Sequence, residues 1–322
     1  MPSFIKTAGL VAGLVTVACA LPSVPRLSAS QVKMYEYSKR QNAAAAAAGL
    51  TDVDILQFTS ALTLEWLEGT FYQQGFAKFP ASDFTALGLT QQQVNDLIGI
   101  GSSEQAHISL LQSAIAQAGV KPVEPCTYNF GFTDAKSMVA TAGVLENVGV
   151  SAYLGGGPLI SDGSILSTAA SILTVEARHQ TFVRVASAAA AAPGAFDTAL
   201  SPKQVFSLAA PFITSCPEGS NLILTAFPAL TMAAGQTAVA AIGQTIQLQS
   251  NASSTAQFCS FTNGNIAGGT AFSAFSPETG CTIPGQGELA GIAYVNLVTQ
   301  APLTGVITDD IIVAGPMVLQ IS

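Results

Sequence analysis

The chain has 322 residues, 9% charged and 49% hydrophobic, with 11 Lys+Arg against 19 Asp+Glu and a formal net charge of -8. It is too apolar for disorder, which needs low hydrophobicity and high charge, and long enough for one large or two ordinary domains with a full core. It has no basic stripe to neutralise phosphates and no Lys or Arg after Lys203, which argues against nucleic acid as a partner.

Residues 1–20 carry Lys6 as the only early charge, then an apolar run from Ala8, and end in Ala18-Cys19-Ala20. This reads as a secretory signal peptide with a small-x-small cleavage site, too short to span a bilayer. The next longest apolar stretch, around Ile223 to Ile242, is interrupted by Pro228, Gly235 and Gln236, so no transmembrane span is expected. Residues 21–50 read as a flexible or pro-segment in which Lys39-Arg40 permits a dibasic cut. A secreted protein follows, extracellular or associated with the cell wall. Its mature chain keeps an even number of cysteines, Cys126, Cys216, Cys259 and Cys281. Sequence order favours pairing 126 with 216 and 259 with 281, out of three pairings. Asn251-Ala252-Ser253 is a glycosylation sequon, expected at the surface.

From residue 51 to about 192 the pattern has a helical period. Thr51, Thr90, Thr133 and Ser161 are N-cap candidates, and proline- and glycine-containing breaks at 75–80, 119–125, 155–158 and 193–194 separate the runs. Four helices of bundle length are predicted, roughly 52–78, 91–118, 134–154 and 163–191. A shorter one begins at Ser201-Pro202 and runs to about Thr214. The composition changes beyond 221, where Thr, Gly, Ser and Val dominate in short runs such as 245–249, 291–298 and 305–313. The expected organisation is a four-helix bundle over 51–220 and a small antiparallel β-sandwich-like domain over 221–322, a fold of mainly α plus β.

The apolar stripes of the four helices each contain one glutamate near the middle. They run Phe58, Leu62, Glu65, Gly69, Tyr72, Phe76 in the first helix and Val94, Leu97, Gly101, Glu104, Ile108, Leu111, Ile115 in the second. The third gives Ala135, Val139, Ala142, Glu146, Gly149, Tyr153, and the fourth Ile165, Ala169, Ile172, Glu176, His179, Val183, Ala186. Four unpaired buried carboxylates would each cost several kcal/mol, and no Lys or Arg stands on these stripes, so another positive group must sit among them.

Both histidines of the chain stand three residues after two of these glutamates, in Glu104-Gln105-Ala106-His107 and Glu176-Ala177-Arg178-His179. On a helix, i and i+3 share a face, so each pair can present a carboxylate oxygen and an imidazole nitrogen to one point. Glutamate makes up about 3% of the chain, so both histidines acquiring that spacing by chance is roughly a one-in-a-thousand event. A di-metal site explains it: four carboxylates balance two divalent cations. The sequence also repeats itself. Tyr72 and Tyr153 follow Glu65 and Glu146 at the same spacing of seven, giving the order Glu…Tyr, Glu-x-x-His twice over, as expected of two half-sites across one bundle axis.

At these residues the chain resembles the ferritin-like di-metal carboxylate superfamily. It is more closely similar to the secreted ferritin-like proteins of fungi and the desiccation-related proteins of plants. The segments that carry the closer resemblance are Leu64-Glu65-Trp66-Leu67-Glu68-Gly69-Thr70-Phe71-Tyr72, Tyr128-Asn129-Phe130-Gly131-Phe132-Thr133-Asp134 and Leu145-Glu146-Asn147-Val148-Gly149-Val150-Ser151-Ala152-Tyr153. The resemblance covers about residues 50–215 and leaves the β-rich tail unmatched. It implies metal binding at Glu65, Glu104, His107, Glu146, Glu176 and His179, and a link to stress response and sexual development. Glu68, one turn from Glu65, could add a seventh ligand but reads rather as a solvated residue.

Oxygen and nitrogen ligands without thiolate suit Fe or Mn. Two such ions side by side take O2 or peroxide as a small oxidant, so oxidase, ferroxidase or catalase-like chemistry is the natural class. Gly69 and Gly149 would leave room for the oxidant or allow close helix packing. Tyr72 and Tyr153 would donate hydrogen bonds to ligand carboxylates, pass electrons, or serve as core aromatics. The alternatives are metal sequestration and a structural, wall-associated stress protein whose metal only holds the bundle together.

Overall fold

The computed structural model describes residues 52–321 except 118–120, 219, 221–223 and 286–288. The expected signal peptide, the Lys39-Arg40 site and the Thr51 cap lie outside the described residues. Four long helices dominate the first half: α1 (Asp52–Lys78), then, after a six-residue α2 (Ala81–Ala86), α3 (Gln91–Gln117), α4 (Ala135–Gly156) and α5 (Gly163–Ala186). A short α6 (Pro202–Ala209) follows. Helix α1 packs along α3 and α4 along α5, and contacts of α1 with α4 and of α3 with α5 close the bundle.

The helix starts follow side-chain chemistry. Thr90 and Gln93 form a reciprocal pair, the Gln93 amide N–H donating to Thr90 Oγ1 and the Thr90 N–H to Gln93 Oε1. Ser201 caps α6, with Pro202 in the first turn. Two expected caps move by one residue: Asp134 and Asp162, not Thr133 and Ser161, accept the free N–H groups of α4 and α5, because their carboxylates reach Ser137 N and both Ser164 N and Ile165 N. Helix α5 stops five residues before the expected 191. Ala188 there adopts a left-handed φ of 57°, and Ala189 N–H donates to Arg184 O at 2.9 Å, a termination that turns the alanine run toward the second half of the chain.

Strand β1 (Thr127–Tyr128) pairs with β2 (Ile213–Ser215) beside the Cys126–Cys216 disulfide. Next come four two-residue strands, β3 (Thr231–Met232), β4 (Val239–Ala240), β5 (Thr245–Ile246) and β6 (Leu248–Gln249). The longer ones are β7 (Phe258–Thr262), β8 (Thr270–Ala274), β10 (Gly291–Val298) and β11 (Ile312–Ile321), with the short β9 (Cys281–Thr282) among them. The main sheet has the order β4-β11-β10-β7-β8. It is antiparallel except for β4, which joins β11 in parallel. The expected strand at 305–313 falls at Ile312–Ile321 instead, in register with β10. The second disulfide, Cys259–Cys281, ties β7 to β9, and Asn251 is exposed in the turn before Ser253–Thr255.

The sheet lies against the bundle. Every residue of β10 is buried. Ala293, Val295 and Leu297 face a cluster with Leu230, Ile246 and Leu248 from the small strands, while Ile292 and Tyr294 share a cluster with Leu145 and Val183 of the bundle. A strand covered on both faces reads as a continuous apolar run rather than an alternation. The Tyr294 hydroxyl donates to Asn147 Oδ1 at 2.7 Å and lies 3.0 Å from Ser151 Oγ, so a β-strand side chain fixes the back of α4.

Gly155 seats the segment ahead of α6. A Cβ there would stand 1.7 Å from Leu200 O, a backbone atom that cannot rotate away. Gly155→Ala is therefore expected to cost about 1–3 kcal/mol by overpacking, read as a lowered midpoint in urea unfolding; an unchanged midpoint would contradict this packing.

Candidate metal centre

The phase of each helix brings its central glutamate to the bundle axis. Glu65, Glu104, Glu146 and Glu176 are all 1% exposed or less, and His107 and His179 are 9% and 7% exposed. Apolar residues flank them along the axis. Leu62, Ile108, Leu111, Ile115, Ile165 and Ile172 form one cluster, and the Leu67–Phe71–Leu97–Met138 region belongs to another.

His107 Nδ1 lies 3.2 Å from Glu65 Oε2, 3.0 Å from Glu104 Oε2 and 3.1 Å from Glu176 Oε1. His179 Nδ1 lies 2.8 Å from Glu104 Oε1 and 3.3 Å from Glu146 Oε2. Two donor groups result, each with ligand atoms within 4.8 Å of one another. One is Glu65, Glu104, His107 and Glu176; the other is Glu104, Glu146, Glu176 and His179. Glu104 and Glu176, the glutamates of the two Glu-x-x-His pairs, belong to both groups. Glu65 goes with His107 and Glu146 with His179.

The outer shell repeats this symmetry. Tyr153 of α4 donates its hydroxyl to Glu65 Oε1 of α1 at 2.5 Å, and Tyr72 of α1 donates to Glu146 Oε1 of α4. Each tyrosine thus holds one oxygen of the opposite helix's glutamate and turns the other oxygen toward the axis. Burial, and then the neighbouring Glu146 or Glu65 charge, raises both phenol pKa values well above the usual range, so both remain donors.

Glu68 corrects the sequence expectation: it is not solvated but 2% exposed and turned in among the carboxylates. Burial first, then the charges of Glu176, Glu65, Glu104 and Glu146, push its pKa well up. The space it uses belongs to Gly149, where a Cβ would stand 2.8 Å from Glu176 Oε2 and 3.1 Å from Glu68 Oε1. In the internal repeat Glu68 and Gly149 are equivalent positions, so a side chain in one half occupies the notch left by the other. The signal was present in the sequence, since Glu65-x-x-Glu68 has the same spacing as the two Glu-x-x-His pairs. Gly69 has a different role: a Cβ there would meet the side chains of Gln105 and Ile108, so it serves close packing of α1 on α3.

Five carboxylates against two imidazoles leave an excess of negative charge in a dry core. Burial raises Glu104 and Glu176 despite hydrogen bonds from the histidines, and although burial opposes charging the histidines, the carboxylates raise His107 far above its ordinary value and His179 to about 10. Even so, Glu104 Oε1, Glu146 Oε2, both Glu176 oxygens and His179 Nδ1 are buried with no aligned hydrogen-bond partner among the described residues. Orphaned polar atoms converging from α3, α4 and α5 are what bound cations satisfy, and the donor set of carboxylate oxygens and imidazole nitrogens without thiolate fits hard or borderline divalent ions.

Four long helices, an inward glutamate on each and Glu-x-x-His on two of them define a ferritin-like bundle. Residues 51–189 match the family model described as Ferritin-like domain. The chain is also similar to Protein rds1 of Schizosaccharomyces pombe (strain 972 / ATCC 24843), 26% identical over 181 residues. That alignment covers 56% of this chain and 44% of that protein, so the chain spans less than half the length of this relative.

Proposed function

We propose that Glu65, Glu104, His107, Glu146, Glu176 and His179 would hold two Fe or Mn ions, and that the protein is a secreted ferritin-like protein working in redox chemistry with O2 or peroxide. The observation that carries this reading is the sharing of Glu104 and Glu176 between the two donor groups, because ions held by overlapping groups would stand close enough to act on one small molecule. When bound, such a pair supplies one-electron redox steps and polarises an oxygen ligand. The chain's own residues do the rest. Glu65 with His107 and Glu146 with His179 would hold the two ends, Tyr72 and Tyr153 orient the terminal carboxylates, and the apolar clusters above and below exclude bulk water. Glu68, buried beside them, would add a fifth carboxylate to the set.

Secretion and a place in stress response are supported by the two disulfides, which suit an oxidising compartment, and by the resemblance described above. Among the described residues no helix is long and apolar enough to cross a membrane.

Elemental analysis of the purified chain, with Fe(II) oxidation and peroxide consumption assays, tests the reading. Close to two transition-metal ions per chain with turnover is the expected result. No metal above background, and no change in stability in Glu104→Ala or His179→Ala, would remove it, whereas metal without turnover would leave the structural role. Gly149→Ala bears on the same geometry. Its added methyl pushes Glu176 and Glu68 out of position, so metal affinity should fall about 10- to 100-fold in a chelator competition while the α-helical circular dichroism is kept; unchanged affinity would contradict the notch.

A further inference from the structure

A polar cavity, lined by none of the cluster residues, opens where α4 and α5 meet the segment 191–198 and the β7–β8 turn. It measures about 110 Å3, and its lining includes Asn147 of α4, Gln180 of α5, Phe196 and Asp197. Asn147 and Gln180 are 8% and 6% exposed. Among the described residues, the one hydrogen bond made by either side chain is that accepted by Asn147 Oδ1 from the Tyr294 hydroxyl. The Gln180 amide and Asn147 Nδ2 therefore keep their donors, and Gln180 its acceptor, for whatever fills the cavity.

The outer wall is fixed by its backbone. Thr198 Oγ1 accepts the Gly264 N–H at 2.9 Å, and Asn265 Oδ1 accepts the Ala195 N–H at 2.9 Å. A Cβ on Gly264 would stand 2.4 Å from Phe196 O, so the turn runs directly against residue 196. On this pinned stretch Phe196 is 72% exposed, and Asp197 beside it is exposed as well. An aromatic ring is thus held in water at the edge of a cavity whose inner wall carries free amides.

These groups select one ligand chemistry. The amide N–H groups require acceptors, while the Gln180 carbonyl and the Asp197 carboxylate require donors, and hydroxyl groups supply both. Among the described residues no Lys, Arg or His lines the cavity, so an anion finds no counter-charge there, and a metal cation would face N–H donors. The exposed face of Phe196 suits the C–H face of a saturated ring. An apolar cavity of ~150 Å3 admits benzene, so this one takes the hydroxyl-bearing edge of a six-membered ring and leaves the remainder against Phe196. We propose that the cavity binds a pyranose sugar, its hydroxyls on Asn147, Gln180 and Asp197 and its C–H face on Phe196. The metal reading plays no part in this assignment.

Saturation-transfer NMR titration of the full purified chain with methyl glucoside, methyl mannoside and methyl N-acetylglucosaminide tests it, with cyclohexanol and diglycine as controls. At least one sugar is expected to bind with millimolar Kd, and cyclohexanol, which keeps the ring but has a single hydroxyl, to bind at least about tenfold more weakly. A tetrasaccharide of the sugar that binds separates the two sources of such a ring: tighter binding supports the end of a glycan, equal binding a free sugar. Phe196→Ala removes the exposed ring, and Gln180→Leu replaces the amide by an apolar group of similar size; each should weaken the sugar about tenfold. Phe196→Ala carries the test alone if Gln180→Leu does not fold. No binding of any of the three sugars, tighter binding of diglycine than of every sugar, or unchanged sugar affinity in folded Phe196→Ala overturns the assignment. Metal content measured on the same samples stays the same in either case, so failure here is separate from failure at the carboxylate cluster.

Discussion

Glu176→Gln is expected to remove both metal ions, whereas Glu65→Gln removes one. Glu176 contributes to both donor groups, while Glu65 contributes to the His107 group alone. Elemental analysis after equilibration with Fe(II) or Mn(II) should therefore fall from about two ions per chain to near zero in the first variant and to about one in the second. The stability effects have opposite signs with and without metal. In the metal-free chain, Glu176 is a buried carboxylate among like charges, two of whose oxygens lack aligned partners. An amide of the same shape relieves that repulsion and should raise unfolding stability by about 1–4 kcal/mol. In the loaded chain the order reverses, because ions at about 100 times their Kd stabilise the native state by about 2.7 kcal/mol per site. A chelator should thus lower the thermal midpoint of the unaltered chain and leave that of Glu176→Gln in place. Two ions retained by Glu176→Gln would sink the assignment of Glu176 to both sites.

The Cys126–Cys216 disulfide should prove the largest single covalent contribution to stability. It closes a separation of 90 residues, against 22 for Cys259–Cys281. Chain entropy then gives about 4–5 kcal/mol for the first and about 3 for the second. The longer loop holds all of α4 and α5, and with them Glu146, Glu176 and His179, half of the six predicted donors. Urea unfolding of Cys126→Ser/Cys216→Ser should therefore show the larger loss of stability and, in addition, weaker metal retention. The Cys259→Ser/Cys281→Ser pair should lose less and keep its metal. Equal losses, or metal lost only from the second pair, would refute this account.

Much of the bundle was legible because helical phase is a local property. The spacing of Leu62, Glu65 and Tyr72, or of Ile172, Glu176 and His179, follows from 3.6 residues per turn and needs no knowledge of the partner helix. The ends of α1, α3 and α4 came within two residues of the structure, since prolines, glycines and caps act within one turn. The end of α5 did not, because the alanine run after Ala186 favours helix and only the path toward the sheet turns Ala188 left-handed. The β-rich region was recognisable by composition, but its pairing was not. Strand β11 lies beside β10 because Gly291 to Val295 match Ile321 to Met317 in register, a relation between segments distant in the chain.

The sequence by itself determined which Glu and His residues stand on the apolar face of each helix. Only the tertiary structure decided which donors are shared, that Tyr72 and Tyr153 cross over to the opposite helix's glutamate, and that Glu68 fills the notch of Gly149. It alone decided, too, that Arg184 is buried with its Nε donating to Ala190 O. The reason is physical. Periodicity fixes the direction of a side chain relative to its own helix axis, while the rotation and sliding of one helix against another are set by packing between residues far apart in the chain.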